Sequence, residues 1–156
     1  MKGGARTIEP QPTDPRKDRL RLWLGLLRST RHVESALRSC LREHFSMTLS
    51  QFDVMAALHR SEGGMIMTEV STALVVSNGN ITGIVDRLVD DGLVIRSMRG
   101  GDRRTSSVRL TSKGRRRFDR MAKKHEEWVN ELLGSLDPVE VEGLIGALGK
   151  VRIQTE

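Results

Sequence analysis

Residues 93–117 read LVIRSMRGGDRRTSSVRLTSKGRRR, two short strand patterns joined through Gly100-Gly101 and followed by a helix start at Thr111. Leu93 and Ile95 lie on one face of the first strand, Val108 and Leu110 on the second. Between Arg96 and Arg117 there are nine Lys or Arg against one acid, Asp102. The rest of the chain holds 17 basic and 19 acidic residues, so this hairpin and helix start carry all of the net +6. Charge gathered on one element of an otherwise balanced chain points to a polyanionic partner.

Immediately upstream, Thr68 is placed to cap a short helix with Val70, Ala73 and Leu74 inward. After a turn at Val75-Val76, Ser77 is placed to cap another helix, which Gly92 ends. Ile81, Ile84, Val85 and Leu88 form a narrow apolar stripe there, opposite Gly79, Thr82, Gly83, Asp86 and Asp90. Two short helices joined by a tight turn, the second small and polar on its outer face, make a helix-turn-helix. Gly79 and Gly83 each cost about 1 kcal/mol of helix propensity against Ala, which close approach of the helix backbone to a partner would justify. Asp86 would repel phosphate, so it reads as an ion-pair partner of the hairpin or of a neighbour of Arg87.

Further out, residues 1–17 form an arm with three prolines and two glycines and no apolar core, unlike a signal peptide. Residues 16–45 form a long amphipathic helix on Leu20, Trp23, Leu24, Leu27, Leu37, Leu41 and Phe45, its stripe broken at Thr30, Arg31 and His32. Thr48 with Gln51 makes a capping box for a second helix carrying Phe52, Met55, Ala56 and His59. Thr111 opens a helix striped by Phe118, Met121, Ala122, His125, Trp128, Val129, Leu132 and Leu133. Asp137-Pro138-Val139-Glu140 opens a last one, with Val141, Leu144, Ile145, Leu148 and Val151 on a side too apolar to stand alone.

No window approaches the roughly 18 apolar residues of a membrane span. The single cysteine, Cys40, forms no intramolecular disulfide and fits a reducing cytoplasm. Cys40 and His44 lie four apart on a helix, but two ligands are too few for closed zinc coordination, and His32, His59 and His125 form no ligand-spaced cluster. No cofactor or metal is expected. A Gly-rich phosphate loop and a nucleophile elbow are both missing from the sequence, which argues against an enzyme.

The element order, with VDRLVDDGLVIR (85–96) and DRRTSSVRLTSKG (102–114), resembles the MarR family of bacterial winged-helix regulators over residues 18–153. The resemblance implies a mainly α fold with a small β-hairpin wing, a winged helix-turn-helix between N- and C-terminal dimerisation helices. Segments 18–47 (dimerisation and ligand junction), 48–111 (DNA-binding domain) and 112–156 (C-terminal dimerisation helices) follow from it. It further implies a homodimer on a pseudo-palindromic operator in double-stranded DNA. The fourth helix would enter the major groove with Ser77, Asn78, Asn80, Thr82 and Arg87 as contacts. Arg104 matches a wing-tip arginine placed in a minor groove, oriented by Asp102, while Arg99, Arg103 and Lys113 supply phosphate affinity.

The same resemblance implies a repressor released by a small aromatic acid or its coenzyme A thioester. The opening DRLRLWLGLLRSTRHVE and VSNGNITGIVDRL are similar to a subgroup responding to aromatic acyl-coenzyme A thioesters. The effector would sit among Trp23, Leu27, Arg31, His32, Phe52, Met55, Met121 and His125, an apolar wall with a few cations. Ordinary core packing is the competing reading of Trp23, Phe52 and Met55. An effector-independent, redox-responsive or metal-responsive DNA-binding protein is the alternative function.

Overall fold

The computed structural model describes residues 14–74, 80–98 and 106–151. They fall into two units, one ending at Ser35 and the other beginning at Ala36. Helix α1 (Pro15–Phe45) starts where Asp14 Oδ1 accepts the Arg16 amide at 3.0 Å, and it ends at Ser46, whose φ of +51° breaks the helical path. Within it Leu37 and Leu41 are buried, whereas Leu20, Leu22, Trp23 and Leu24 stay exposed.

The unit from Ala36 onward is built on α2 (Leu49–His59), β1 (Met65–Ile66), α3 (Met67–Ala73), α4 (Ile81–Asp90), β2 (Val94–Met98), β3 (Ser106–Leu110), α5 (Ser112–Leu132) and α6 (Pro138–Leu148). Phe52, Val54, Met55 and Leu58 of α2 fill its core with Val70, Val85, Leu88, Val94, Val108 and Met121. Three start signals act as the sequence reading has them. Thr48 Oγ1 accepts the Gln51 amide at 3.2 Å while Gln51 returns the bond to Thr48. Thr111 Oγ1 accepts the Gly114 amide at 2.9 Å, and Asp137 and Glu140 exchange bonds at 2.9 Å.

The mainly helical fold with its small sheet agrees with the expected class, and the sheet brings the first corrections. It has three antiparallel strands in the order β1-β3-β2, the first a two-residue strand that the sequence reading lacks. Met65 pairs with Val108 and Ile66 with Ser107. In the hairpin, Val94 is opposite Leu110 and Arg96 opposite Val108. Leu93 precedes the strand and is buried, so the inward strand residue is Val94, and Ile95 is exposed, contrary to the expected pairing of Leu93 with Ile95.

Two helix starts also shift. α3 begins straight out of β1 at Met67, with Glu69 accepting the Ile66 amide at 2.9 Å, and Thr68 lies inside the helix instead of capping it. α4 is capped by Asn80, whose Oδ1 accepts the Gly83 amide at 3.1 Å. Ser77, read as that cap, lies outside the described residues and ahead of the helix start. The Asn80 cap accounts for Gly83 locally, because a Cβ there would come 2.9 Å from Asn80 Nδ2.

Candidate nucleic-acid interface

α4 turns Val85 and Leu88 into the core and leaves Asn80, Thr82, Gly83, Asp86, Arg87 and Asp90 exposed. A face of small and polar side chains on a short helix gives base edges and phosphates access to backbone and hydroxyl alike. Its one central acid is neutralised. Asp86 pairs with Arg96 of β2, so the carboxylate that would repel a polyanion is tied to the wing strand. Arg87 lies 3.8 Å from Asp91, a loose and exposed pair that leaves its guanidinium available.

The far end of α4 is closed by backbone geometry. Gly92 takes φ +69° and donates to the Val89 carbonyl at 2.9 Å, and Leu93 donates to the Leu88 carbonyl at 2.9 Å. These two bonds form a Schellman closure, which requires a residue free to adopt positive φ at Gly92.

The first turn of α5 then grips this closure. The Thr111 hydroxyl donates to the Gly92 carbonyl at 2.8 Å, and the Thr111 amide donates to the Leu93 carbonyl at 3.0 Å. Lys113 Nζ donates to the Asp91 carbonyl at 2.9 Å, a cation at the negative end of α4. Gly114 is obligatory beside it, because a Cβ there would fall 1.9 Å from the Leu93 carbonyl oxygen. The sequence LTSKG (110–114) thus joins the last strand of the wing, the C-terminus of α4 and the start of α5 in one bonded corner.

Of the ten residues expected at the DNA, Asn80, Thr82 and Arg87 cap or lie on α4, and Lys113 of α5 reaches its C-terminal end. Ser77, Asn78, Arg99, Asp102, Arg103 and Arg104 lie outside the described residues. Asn80 keeps its amide Nδ2 donors while its Oδ1 caps the helix, and Lys113 keeps donors beyond the one given to Asp91. The residue that sequence reading left without a role is Arg96. Its signal was Asp86, an acid on an otherwise polar outer face that required a cation within reach.

The expected effector residues divide differently. Phe52, Met55 and Met121 are buried in the core, and Phe52 stacks on His125 at 4.7 Å and on Phe118 at 5.4 Å. His125 is half-buried, and burial lowers its pKa below the ordinary 6.5, favouring the neutral ring. Trp23, Arg31 and His32 are exposed and Leu27 half-buried, and all four belong to the unit that ends at Ser35. Cys40 is half-buried, less enclosed than a core thiol, and its carbonyl accepts from His44 Nδ1 at 3.0 Å.

Comparison with known proteins agrees with this architecture. A family model described as MarR family matches residues 45–105, the segment from the end of α1 into the wing. The transcriptional regulator PecS of Dickeya dadantii is 28% identical over 109 residues, which take in 69% of this chain and 66% of PecS. The crystal structure of Bordetella bronchiseptica BpsR, whose DNA binding is regulated by 6-hydroxynicotinic acid, is 25% identical, covering 83% of this chain and 97% of that one with a TM-score of 0.72. A MarR family transcriptional regulator from Silicibacter pomeroyi is 32% identical, covering 89% of this chain and 96% of its own at a TM-score of 0.77. With a polar helix bonded to the root of a winged sheet, and with these likenesses along nearly its whole length, the chain belongs to the MarR family of DNA-binding transcriptional regulators, which are not enzymes.

Proposed function

We propose that this protein is a homodimeric repressor that holds a pseudo-palindromic operator and releases it on binding a small aromatic acid or the coenzyme A thioester of one. The observation that carries the DNA-binding half is the treatment of α4, where the only acid at the centre of the exposed face is paired with Arg96 and the helix end is bonded to the wing root. That arrangement offsets the central acid and fixes the geometry of the face, as a major-groove reader needs. Asn80, Thr82 and Arg87 would then contact bases or phosphates. Arg104, with Asp102, would probe the adjacent minor groove, and Arg99, Arg103 and Lys113 would meet phosphates.

Dimerisation is supported by apolar surface that one chain leaves uncovered. Val139 is 78% exposed and Ile145 66%, in a helix where no residue is buried. In α1, Leu20, Leu22 and Trp23 are each more than half exposed. Large apolar side chains left exposed on each helix are what an interface would cover. The effector class is supported by BpsR, which answers to a hydroxylated aromatic carboxylate. The mixed apolar and cationic character of Trp23, Leu27, Arg31 and His32 suits the same class.

The deciding experiment is a gel-shift titration against the DNA upstream of the protein's own gene. Preference over scrambled duplex at moderate salt, reversed by an aromatic acid or its thioester, is the expected result. Equal affinity for both duplexes would make the protein a sequence-blind DNA binder, and specific binding that no such compound reverses would remove the effector from the proposal.

A further inference from the structure

On the outer side of the wing the sheet and the first turns of α5 enclose a groove of about 520 Å³, within the size range of small-molecule sites. Ile95 of β2 and Arg109 of β3, directly opposite each other in the register, form one wall. Ser112, Arg115 and Arg116 of α5 form the other. Arg109, Arg115 and Arg116 have no ion-pair partner among the described residues. The acid on the wall, Asp119, is engaged instead by His59, with Nε2 and Oδ1 at 3.1 Å. Three guanidinium groups therefore face one concavity against a single carboxylate, Asp119, whose charge offsets one of them and leaves the groove net positive. Ile95, 37% exposed, adds an apolar surface at its side.

We propose that this groove is a binding site for an amphiphilic organic anion, a carboxylate with an apolar body. Guanidinium groups receive a carboxylate through paired N–H donors, and their planar faces and the Ile95 side chain accept an apolar body. Ile95 and Arg109 lie on the sheet face opposite Val94 and Val108, which are turned into the core toward α2 and α4. A duplex held on the exposed face of α4 therefore does not have to fill the groove, which favours a small ligand over DNA phosphate. The groove is also wired to the interface: Ile95 adjoins Arg96, the partner of Asp86, and Thr111 on its rim bonds the closure of α4. Any effect of the ligand on DNA rests on the repressor reading above, whereas binding itself does not.

The test is calorimetric titration of the full-length protein, without DNA, at low ionic strength. The probes are 1-naphthoate, acetate and inorganic phosphate. The expected result is naphthoate binding at least about tenfold tighter than acetate or phosphate, weakened about tenfold or more in the Arg115→Ala/Arg116→Ala variant. Ile95→Ser, at an exposed position, is expected to weaken naphthoate while leaving acetate unchanged, with an unaltered melting temperature showing that the fold is retained. Absence of naphthoate binding, equal binding of all three anions, displacement of naphthoate by nonspecific duplex DNA, or naphthoate binding that survives both variants would each overturn the proposal. A gel shift on the same preparation reports separately on the repressor reading, so either can fail without the other.

Discussion

At the scale of single residues, the tightest glycine constraint among the described residues is the missing side chain of Gly114. A methyl group there would sit inside the van der Waals shell of the Leu93 carbonyl, and the atoms it meets are backbone held by Thr111. Gly114→Ala should therefore destabilise the protein by about 3 kcal/mol, at the upper end of overpacking costs, measured as a lowered urea midpoint. His125 imposes a constraint of a different kind. Its folded pKa lies below 6.5, so between the two values the unfolded chain holds the proton more readily than the folded one. Its contribution to stability is complete above the unfolded value and is lost as pH falls through the folded value. A melting temperature that drops between pH 7.5 and pH 5.5 should drop less in His125→Phe, which keeps a ring against Phe52. An identical drop in the variant would place the acid sensitivity elsewhere.

At the scale of elements, α4 and the wing behave as a coupled pair through Asp86 and Arg96. Both side chains are more than a third exposed, so a double-mutant cycle on folding should return a coupling of only about 0.2–1 kcal/mol. DNA affinity should respond more strongly, and with a telling order. Arg96→Ala uncovers the carboxylate on the DNA face, so adding Asp86→Ala to it should restore part of the lost affinity; a double variant no better than Arg96→Ala would show that the pair is incidental. Starts and stops of these elements were legible where a cap has its own chemistry, as at Thr48 with Gln51, Thr111, Gly92 and Asp137. They were misread where two candidates competed. Ser77 and Asn80 are both good caps, and only the amide of Gly83, reached by Asn80, decides between them. β1 was invisible because two residues have no period, and it exists only because β3 offers Val108 and Ser107 as partners. Leu93 and Ile95 show alternation on paper, yet the bonds from Thr111 place Leu93 before the strand and shift the inward phase to Val94.

At the scale of the whole molecule, the family and fold class were the legible part, since motif spacing and element order can both be read from the residues alone. The effector residues were less so, because a buried Met55 or Phe52 and a ligand-lining one look alike in sequence. Specific and general cations should separate by salt dependence: Arg104→Ala should weaken operator binding more than Arg116→Ala, while loss of one phosphate contact lowers the slope of log K against log salt by about 1. Equal losses for the two would reduce the hairpin to a plain charge patch. Assembly should depend on α6, and Ile145→Asp is expected to yield a monomer by sedimentation and to abolish tight operator binding. The strand order β1-β3-β2 has one more outcome, for solubility. β2 is an edge strand of five residues, the kind of element onto which a strand from another molecule can add. Arg96 stands in the middle of that edge, and its charge, like those the hairpin sequence carries, disfavours the approach of a like strand. Variants that strip the wing of cations should consequently become more prone to self-association on storage, and their weakened binding is best judged on freshly prepared, monodisperse protein.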